Sequence, residues 1–276
     1  MRKKIKFFVV FLLIIILPVC YARYVEPEML VVKEISVDTQ MEIEDCKIVF
    51  FSDTHFGALY DETHMKKIAD KINKIKADIV IFAGDLLDNY ARDRELLNME
   101  SLQRELSRIE AKIGKYAVIG NHDYGGGAIR VYKKLMDDSG FCVLDNETVV
   151  LEKQNIEIIG FDDYLLGYTE PDFYHVQSDR FHIIAAHEPI ISKLVECNSD
   201  SFILSGHTHG GQIFVPYITK RILPTGSDCF VRGLYTIQNL DKNVQMYVSS
   251  GVGLTKYPFR FLNIPEIIEI NISKKE

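Results

Sequence analysis

The sequence predicts an α/β domain made of layered sheets, and three observations lead there. Five short apolar runs each stop at polar or glycine residues: KIVFFSDTHFG (47–57), DIVIFAGDLLD (78–88), KYAVIGNHD (115–123), FHIIAAHE (181–188) and SFILSGHTHGG (201–211). Val, Ile and Phe in near-continuous runs form strands buried on both faces. Helical patterns separate the first three runs, and a βαβαβ order implies a parallel sheet with helices packed on it. The later chain alternates and turns as antiparallel strands do, so the sheets are mixed.

The elements follow in order. MRKKIK is succeeded by the apolar run FFVVFLLIIILPVCYA (7–22). A basic head before such a run matches a secretory signal. At about 1.5 Å per residue it spans roughly 24 Å, short of a ~30 Å hydrocarbon core but tolerable for an anchor. Ala22 with Cys20 two residues before it is a mediocre cleavage site, and Val19 is too large for a lipoprotein site. Residues 1–22 are therefore expected to be an uncleaved signal-anchor rather than a cleaved signal. Basic residues before the segment keep that end in the cytoplasm, which would leave the rest at the cell membrane on its extracytoplasmic side. Residues 23–46 read as a juxtamembrane stretch and a first strand, MLVVKEISV (29–37), and 47–276 as one domain without a linker.

Between the runs, 61–77 places Met65, Ile68, Ile72 and Ile75 on one helical face, and 92–114 does the same with Met99, Leu102, Leu106 and Ile109. A third helix, 128–140, closes on a glycine. Residues 141–164 read as antiparallel strands, and 243–253 and 265–272 as two more.

Composition narrows the partners. The 276 residues are 47% apolar and 26% charged with net charge −7, ordinary for a globular chain. Outside MRKKIK, 28 basic and 39 acidic residues remain, a net −11. No nucleic acid is expected as a partner, because a phosphate-backbone binder needs a basic footprint. Five scattered cysteines, odd in number and without CxxC, make neither a zinc finger nor a disulfide framework.

The polar residues that end the five runs are Asp53, His55, Asp85, Asp88, Asn121, His122, Asp123, His187, His207 and His209, including five of the eight histidines. Ligands of parallel α/β sheets bind outside the strands' carboxyl ends, so these residues can converge. Mixed Asp, His and Asn donors suit Mn, Fe or Zn. Seven of them, Asp53, His55, Asp85, Asn121, His187, His207 and His209, are too many for one ion and right for two that share a carboxylate. At the strand end SGHTHGGQ (205–212), His207 and His209 point to the same side by the period of two and Thr208 faces away. His64, His175 and His182 lack any such context.

The order DxH (Asp53, His55), GDxxD (Gly84, Asp85, Asp88), GNHD (Gly120 to Asp123), His187 and GHxH (Gly206, His207, His209) resembles the calcineurin-like metallophosphoesterase superfamily. GHTHGGQ, the SSGVG run and the late Pro265–Ile267 resemble its bacterial membrane-associated branch. The resemblance implies a four-layer α-β-β-α sandwich of two mixed sheets with helices on both outer faces. It implies that Asp53, His55, Asp85 and His209 hold one divalent ion and Asp85, Asn121, His187 and His207 a second. His122 would bind phosphate or protonate the leaving oxygen, with Asp88 orienting it. A bridging water, acidified by both metals, would attack phosphorus. Asn89-Tyr90 after GDxxD and Asp123 in GNHD depart from the protein serine/threonine phosphatases, and Asp88 stands where purple acid phosphatases place a tyrosine ligand.

The anchor and the branch together imply a phosphodiester or pyrophosphate on a lipid-linked or cell-envelope molecule. A phosphomonoesterase or nucleotidase is the alternative within hydrolases, and a non-catalytic scaffold the alternative outside them. Tyr124 to Gly127 are expected to shape the cleft and Arg260 to contact phosphate.

Overall fold

A computed structural model of the chain describes residues 2–170, 175–176, 178–239 and 242–275. Helix α1 (Arg2–Cys20) buries none of its residues. Strands β1 (Val31–Thr39) and β2 (Cys46–Phe51) follow, then α2 (His64–Ile75) and β3 (Ile79–Ala83). Next come α3 (Tyr90–Asp93), α4 (Met99–Ser107), β4 (Gly114–Val118), α5 (Asn121–Gly125), α6 (Ile129–Asp138) and β5 (Cys142–Val143). The second half is β6 (Glu147–Leu151), β7 (Ile156–Gly160), β8 (His175–Val176), β9 (Phe181–Ala185), β10 (Glu196–Cys197), β11 (Ser201–Ser205), β12 (Gly233–Asn239), β13 (Lys242–Val248) and β14 (Glu266–Lys274).

Two six-stranded mixed sheets form, ordered β1-β14-β2-β3-β4-β5 and β12-β13-β11-β9-β7-β6. In the first, only the β14–β2 pair is antiparallel. In the second, β7, β9, β11 and β13 run parallel, with antiparallel β6 and β12 at the edges. All five residues of β3, β9 and β11 are buried, as their unbroken apolar runs require. Ile48, Phe50, Ile79 and Ile81 of the first sheet meet Ile158, Ile183, Phe202 and Leu204 of the second in the shared core. The sandwich of two mixed sheets matches the fold class expected from the sequence, but among the described residues α-helices cover one outer face rather than both.

Helices α2, α4 and α6 cover the outer face of the first sheet through Met65, Ile68, Ile72, Leu102, Leu106, Tyr132 and Met136. The outer face of the second sheet is covered more thinly among the described residues. There the 3₁₀ turn Pro189–Lys193 and the β8–β10 pair supply Ile191, Val176 and Cys197.

The helix expected over 92–114 is two helices. Asn89 and Asn98 each cap a helix start, accepting from the backbone N–H of Arg92 and Ser101 at 2.9 Å. A side-chain acceptor at that position fixes a new helix start, and the chain between them leaves Leu96 exposed. Strand β12 and the β8–β10 pair went unread in the sequence, being short or lying next to loops. None of the five cysteines forms a disulfide.

Candidate metal centre

Each strand that feeds the site stops just before its first functional side chain, and at most of them the backbone then turns sharply. Asp53, His55, Asp85, His207 and His209 all adopt positive φ, between 44° and 70°. Asp, Asn and His tolerate this left-handed region better than most residues, yet each costs about 1 kcal/mol or more. The strain persists because the turns are tied together. Asp53 N–H donates to Gly84 O and His55 N–H to Asp85 O, both at 3.0 Å. Asp123 accepts from the N–H groups of Asp85, Leu86 and Gly120 at 2.9 to 3.1 Å. Gly84 (φ 82°) lets β3 come against the Gly120 backbone, where a Cβ would sit 2.6 Å from Gly120 N.

His207 and His209 do converge, but not by strand alternation. β11 ends at Ser205, and the two histidines lie in a turn leading into the 3₁₀ segment His209–Gly211. Gly206 is needed there, because a Cβ would collide with Asp53 and Ser52.

Two clusters result. In one, His55 Nε2 lies 2.8 Å from His209 Nε2 and 3.3 Å from Asp85 Oδ2, and His209 Nε2 lies 3.4 Å from Asp53 Oδ1. In the other, His187 Nε2 lies 3.1 Å from Asp85 Oδ2, and His207 Nδ1 lies 2.9 Å from Asn121 Oδ1. Asp85 belongs to both, its other oxygen held by the His122 N–H at 2.7 Å. His187 Nδ1 donates to Ala83 O at 2.7 Å, which aims Nε2 at the cluster. His207 Nε2 is fixed on Thr225 O at 2.7 Å, leaving Nδ1 for the site.

The donors fit divalent cations. Asp53 Oδ2 and His187 Nε2 are buried without a hydrogen-bond partner, a costly arrangement for neutral surroundings. Carboxylates, imidazoles and one amide oxygen make a set suited to borderline metals. Electrostatics point the same way. Burial pushes the His55 imidazole down, but Asp85, Asp88 and Asp53 outweigh it and carry it up to about 9. Burial would raise Asp85, yet His187 and His55 hold it well below the usual carboxylate range. Burial, then His187, drives His207 down to about 3, and burial with His55 drives His209 well below its ordinary value. Both are thereby neutral, the form that binds metal.

His122 stands at the rim, a quarter exposed, with its ring edge-on to His55 at 4.6 Å. Its Nδ1 donates to the backbone oxygen of Asp88 at 2.7 Å. The Asp88 carboxylate, expected to orient His122, lies 3.7 Å away and instead meets His55 Nδ1 at 3.2 Å. Thr255 Oγ1 donates to it at 2.8 Å and Arg92 at 2.6 Å. Arg260 is corrected outright as a phosphate contact. It is fully buried, and its guanidinium donates to the carbonyls of Gly253, Ser250 and Asn263. The guanidinium braces the backbone of residues 250–263 and is fully enclosed there.

Two cavities meet at His122. One of about 230 Å³ is lined by His55, Asp85, His207 and His209, with Ile222 and Tyr257 at its rim. The other, about 520 Å³, is lined by Asn89, Arg92, Leu59, Leu166 and Gly125. Both include Asn121, Thr255 and Lys256. Gly125 and Gly126 do line the larger cleft, as expected of that stretch. Thr255, Arg92 and the fully buried Glu188 beside His187 were missed in the sequence. Thr255 and Glu188 lie outside the helices and strands with no pattern to mark them, and Arg92 lies in the short helix α3, four residues past Asp88.

The family model described as calcineurin-like phosphoesterase matches residues 46–211. The chain is 35% identical over 260 residues to YkuE, an uncharacterised metallophosphoesterase of Bacillus subtilis strain 168, covering 90% of this chain and 87% of that one. It is 30% identical to the uncharacterised metallophosphoesterase Cj0846 of Campylobacter jejuni, covering 89% of this chain and 64% of the other. A Danio rerio protein named as a transmembrane protein with a metallophosphoesterase domain is 27% identical, with 89% of this chain and 57% of that one covered. The chain thus spans less than two thirds of these last two relatives. Among solved structures, the Pseudomonas putida nuclease MPE is similar at 15% identity and a TM-score of 0.38, over 76% of this chain and 80% of that one. The matched span runs from the start of β2 through the last of the converging histidines, and by that match and the Bacillus relative the chain belongs to the calcineurin-like phosphoesterase family.

Proposed function

We propose that the chain hydrolyses a phosphodiester or pyrophosphate bond in a lipid-linked or cell-envelope molecule, as part of the family's bacterial membrane-associated branch. Metal-dependent phosphoester hydrolysis is the chemistry of the family. The observation that carries the sharper reading is one carboxylate, Asp85, facing histidines of two clusters beneath a cleft that His122 overlooks. Residues 1–22 would tether the domain on the extracytoplasmic side, since α1 is the one helix among the described residues long and apolar enough to cross a membrane.

Asp53, His55, Asp85 and His209 would hold one ion, and Asp85, Asn121, His187 and His207 the other, with Mn, Zn or Fe as candidates. Bound there, two divalent ions supply an acidified water and Lewis-acid stabilisation of phosphoryl oxygens. His122, oriented by the Asp88 carbonyl through Nδ1, keeps Nε2 for the substrate. From that atom it binds phosphate or gives a proton to the leaving oxygen. The larger cavity is of the size that takes a small-molecule ligand, and it gives the rest of the substrate a place beside His122.

Cleavage of bis-p-nitrophenyl phosphate and its monoester by the full chain with Mn or Zn tests this. Diester cleavage should vanish on chelation. His122→Ala should lower kcat by about 10²–10⁴ while metal content stays unchanged. Cleavage of the monoester alone would replace the reading by a phosphomonoesterase or nucleotidase. Two bound metals with neither ester cleaved would leave a binding scaffold.

A further inference from the structure

The segment Ile213–Ile222 is built inside out. Its 3₁₀ turn Thr219–Arg221 buries the polar Thr219, whose hydroxyl accepts from the Val215 N–H at 2.8 Å. Its apolar side chains point outward: Ile213, Val215, Ile218, Tyr217 (82% exposed) and Ile222 (70% exposed). The exposed Lys220 and Arg221 lie among them. Water does not favour such a surface, and a rigid apolar patch of this kind marks a contact.

What it contacts follows from what holds it. Ile213 bridges to Phe261, and Phe214 N–H donates to Phe261 O at 2.9 Å. Phe261 packs its ring edge-on against Tyr21, the first residue after α1, with ring centroids 6.4 Å apart. Arg260 N–H donates to Ala22 O at 2.9 Å, and Leu262 N–H to the buried Glu26 carboxylate at 3.0 Å. The apolar helix therefore runs into the domain with no flexible spacer. Ala22, Glu26 and Pro27 are buried in it. Wherever α1 ends at a bilayer surface, the 213–222 segment and Leu262 sit at that surface too. Tyr24 and Arg23, just past the helix, are residue types that favour this boundary. Ile222 and Tyr257 of the same rim line the cavity that holds His55, Asp85, His207 and His209.

We infer that the 213–222 rim docks on the lipid bilayer that α1 occupies, so that the metal centre takes its phosphoester from a lipid in that membrane. The inference rests on the membrane reading of α1 and deepens the proposed function. Apolar side chains of the rim enter the headgroup–acyl boundary, and Lys220 and Arg221 meet anionic headgroups. The mouth then opens onto lipid phosphates rather than onto bulk water. Hydrolysis adds water across the P–O bond, leaving one product in the bilayer and releasing the other.

The chain contains no tryptophan, so a single introduced indole reports its own position. Full-length Ile218→Trp is reconstituted in phosphatidylcholine–phosphatidylglycerol vesicles with brominated acyl chains, with Val150→Trp on the far edge strand β6 as control. The indole of the Ile218→Trp variant should lose about half its emission to the bromines, as expected of a residue seated about 5–10 Å into the boundary. The indole of the control should lose none. In the same vesicles, Val215→Asp with Ile218→Asp should slow cleavage of phosphatidyl-p-nitrophenol about tenfold or more. Cleavage of soluble bis-p-nitrophenyl phosphate should not change. An unquenched Ile218→Trp variant that is nonetheless vesicle-bound overturns docking while leaving the anchor intact. Emission from that variant that is blue-shifted but unquenched means that a second copy covers the rim, which also overturns it. Protein that fails to float with the vesicles removes the anchor and the inference together. Quenching with neither ester cleaved supports docking and sinks the hydrolase reading alone.

Discussion

Asp88 divides its polar atoms between two histidines. The carboxylate takes His55 Nδ1, and the backbone carbonyl takes His122 Nδ1. A proposed ligand and the proposed proton donor are thus set by one residue, through different atoms. Asp88→Asn should accordingly weaken metal binding about 10–100-fold, the usual effect of losing a ligand's outer partner. At saturating metal, kcat should change little, because the carbonyl remains. Titration of metal content alongside saturated rates separates this from a carboxylate that orients His122, for which kcat would fall at any metal concentration. The strand-end residues Asp53, His55, Asp85, Asn121, His187, His207 and His209 were readable because sequence places each just after an apolar run. Thr255 was not, since it reaches Asp88 only through folding, whereas Arg92 stands four residues from Asp88 at a spacing the sequence does carry. Arg260 was misread for a related reason. Charge in a loop implies solvent, unless backbone carbonyls line up to receive it, and those of Ser250, Gly253 and Asn263 do.

Elements were legible where burial is two-sided. β3, β9 and β11 hide every residue, so their runs could hardly be anything else. The helix expected over 92–114 failed on capping, which periodicity does not carry. Met99, Leu102, Leu106 and Ile109 have the spacing of one face, but Asn98 restarts the helix at its own side-chain oxygen. Asn98→Ala should cost about 1 kcal/mol, read as a lower denaturant midpoint with an unchanged slope. α4 lies on the outer face of the first sheet, so ester cleavage should be untouched. The two histidines of GHTH show the converse. Alternation placed them together for the wrong reason, and left-handed turns do the work instead.

At the scale of the molecule, the two-sheet class was in the sequence while the order of strands was not. Nothing local in Glu266–Lys274 says that it lies between β1 and β2. Yet β1 pairs with β14 alone among the described strands, and β14 closes the other edge of β2. The ribosome makes β1 (Val31–Thr39) long before β14 (Glu266–Lys274). Until β14 emerges, β1 therefore has no strand to join, and the sheet that carries Asp53 and Asp85 stays open on one side. A chain arrested before Glu266 should remain open to protease across β1 and β2, and one extended past Lys274 by a linker should become resistant. Resistance already present in the shorter chain would show that the sheet closes without its last strand. Closure of that sheet thus waits on a strand separated from its partner by most of the domain, so the last step of its assembly is a long-range one.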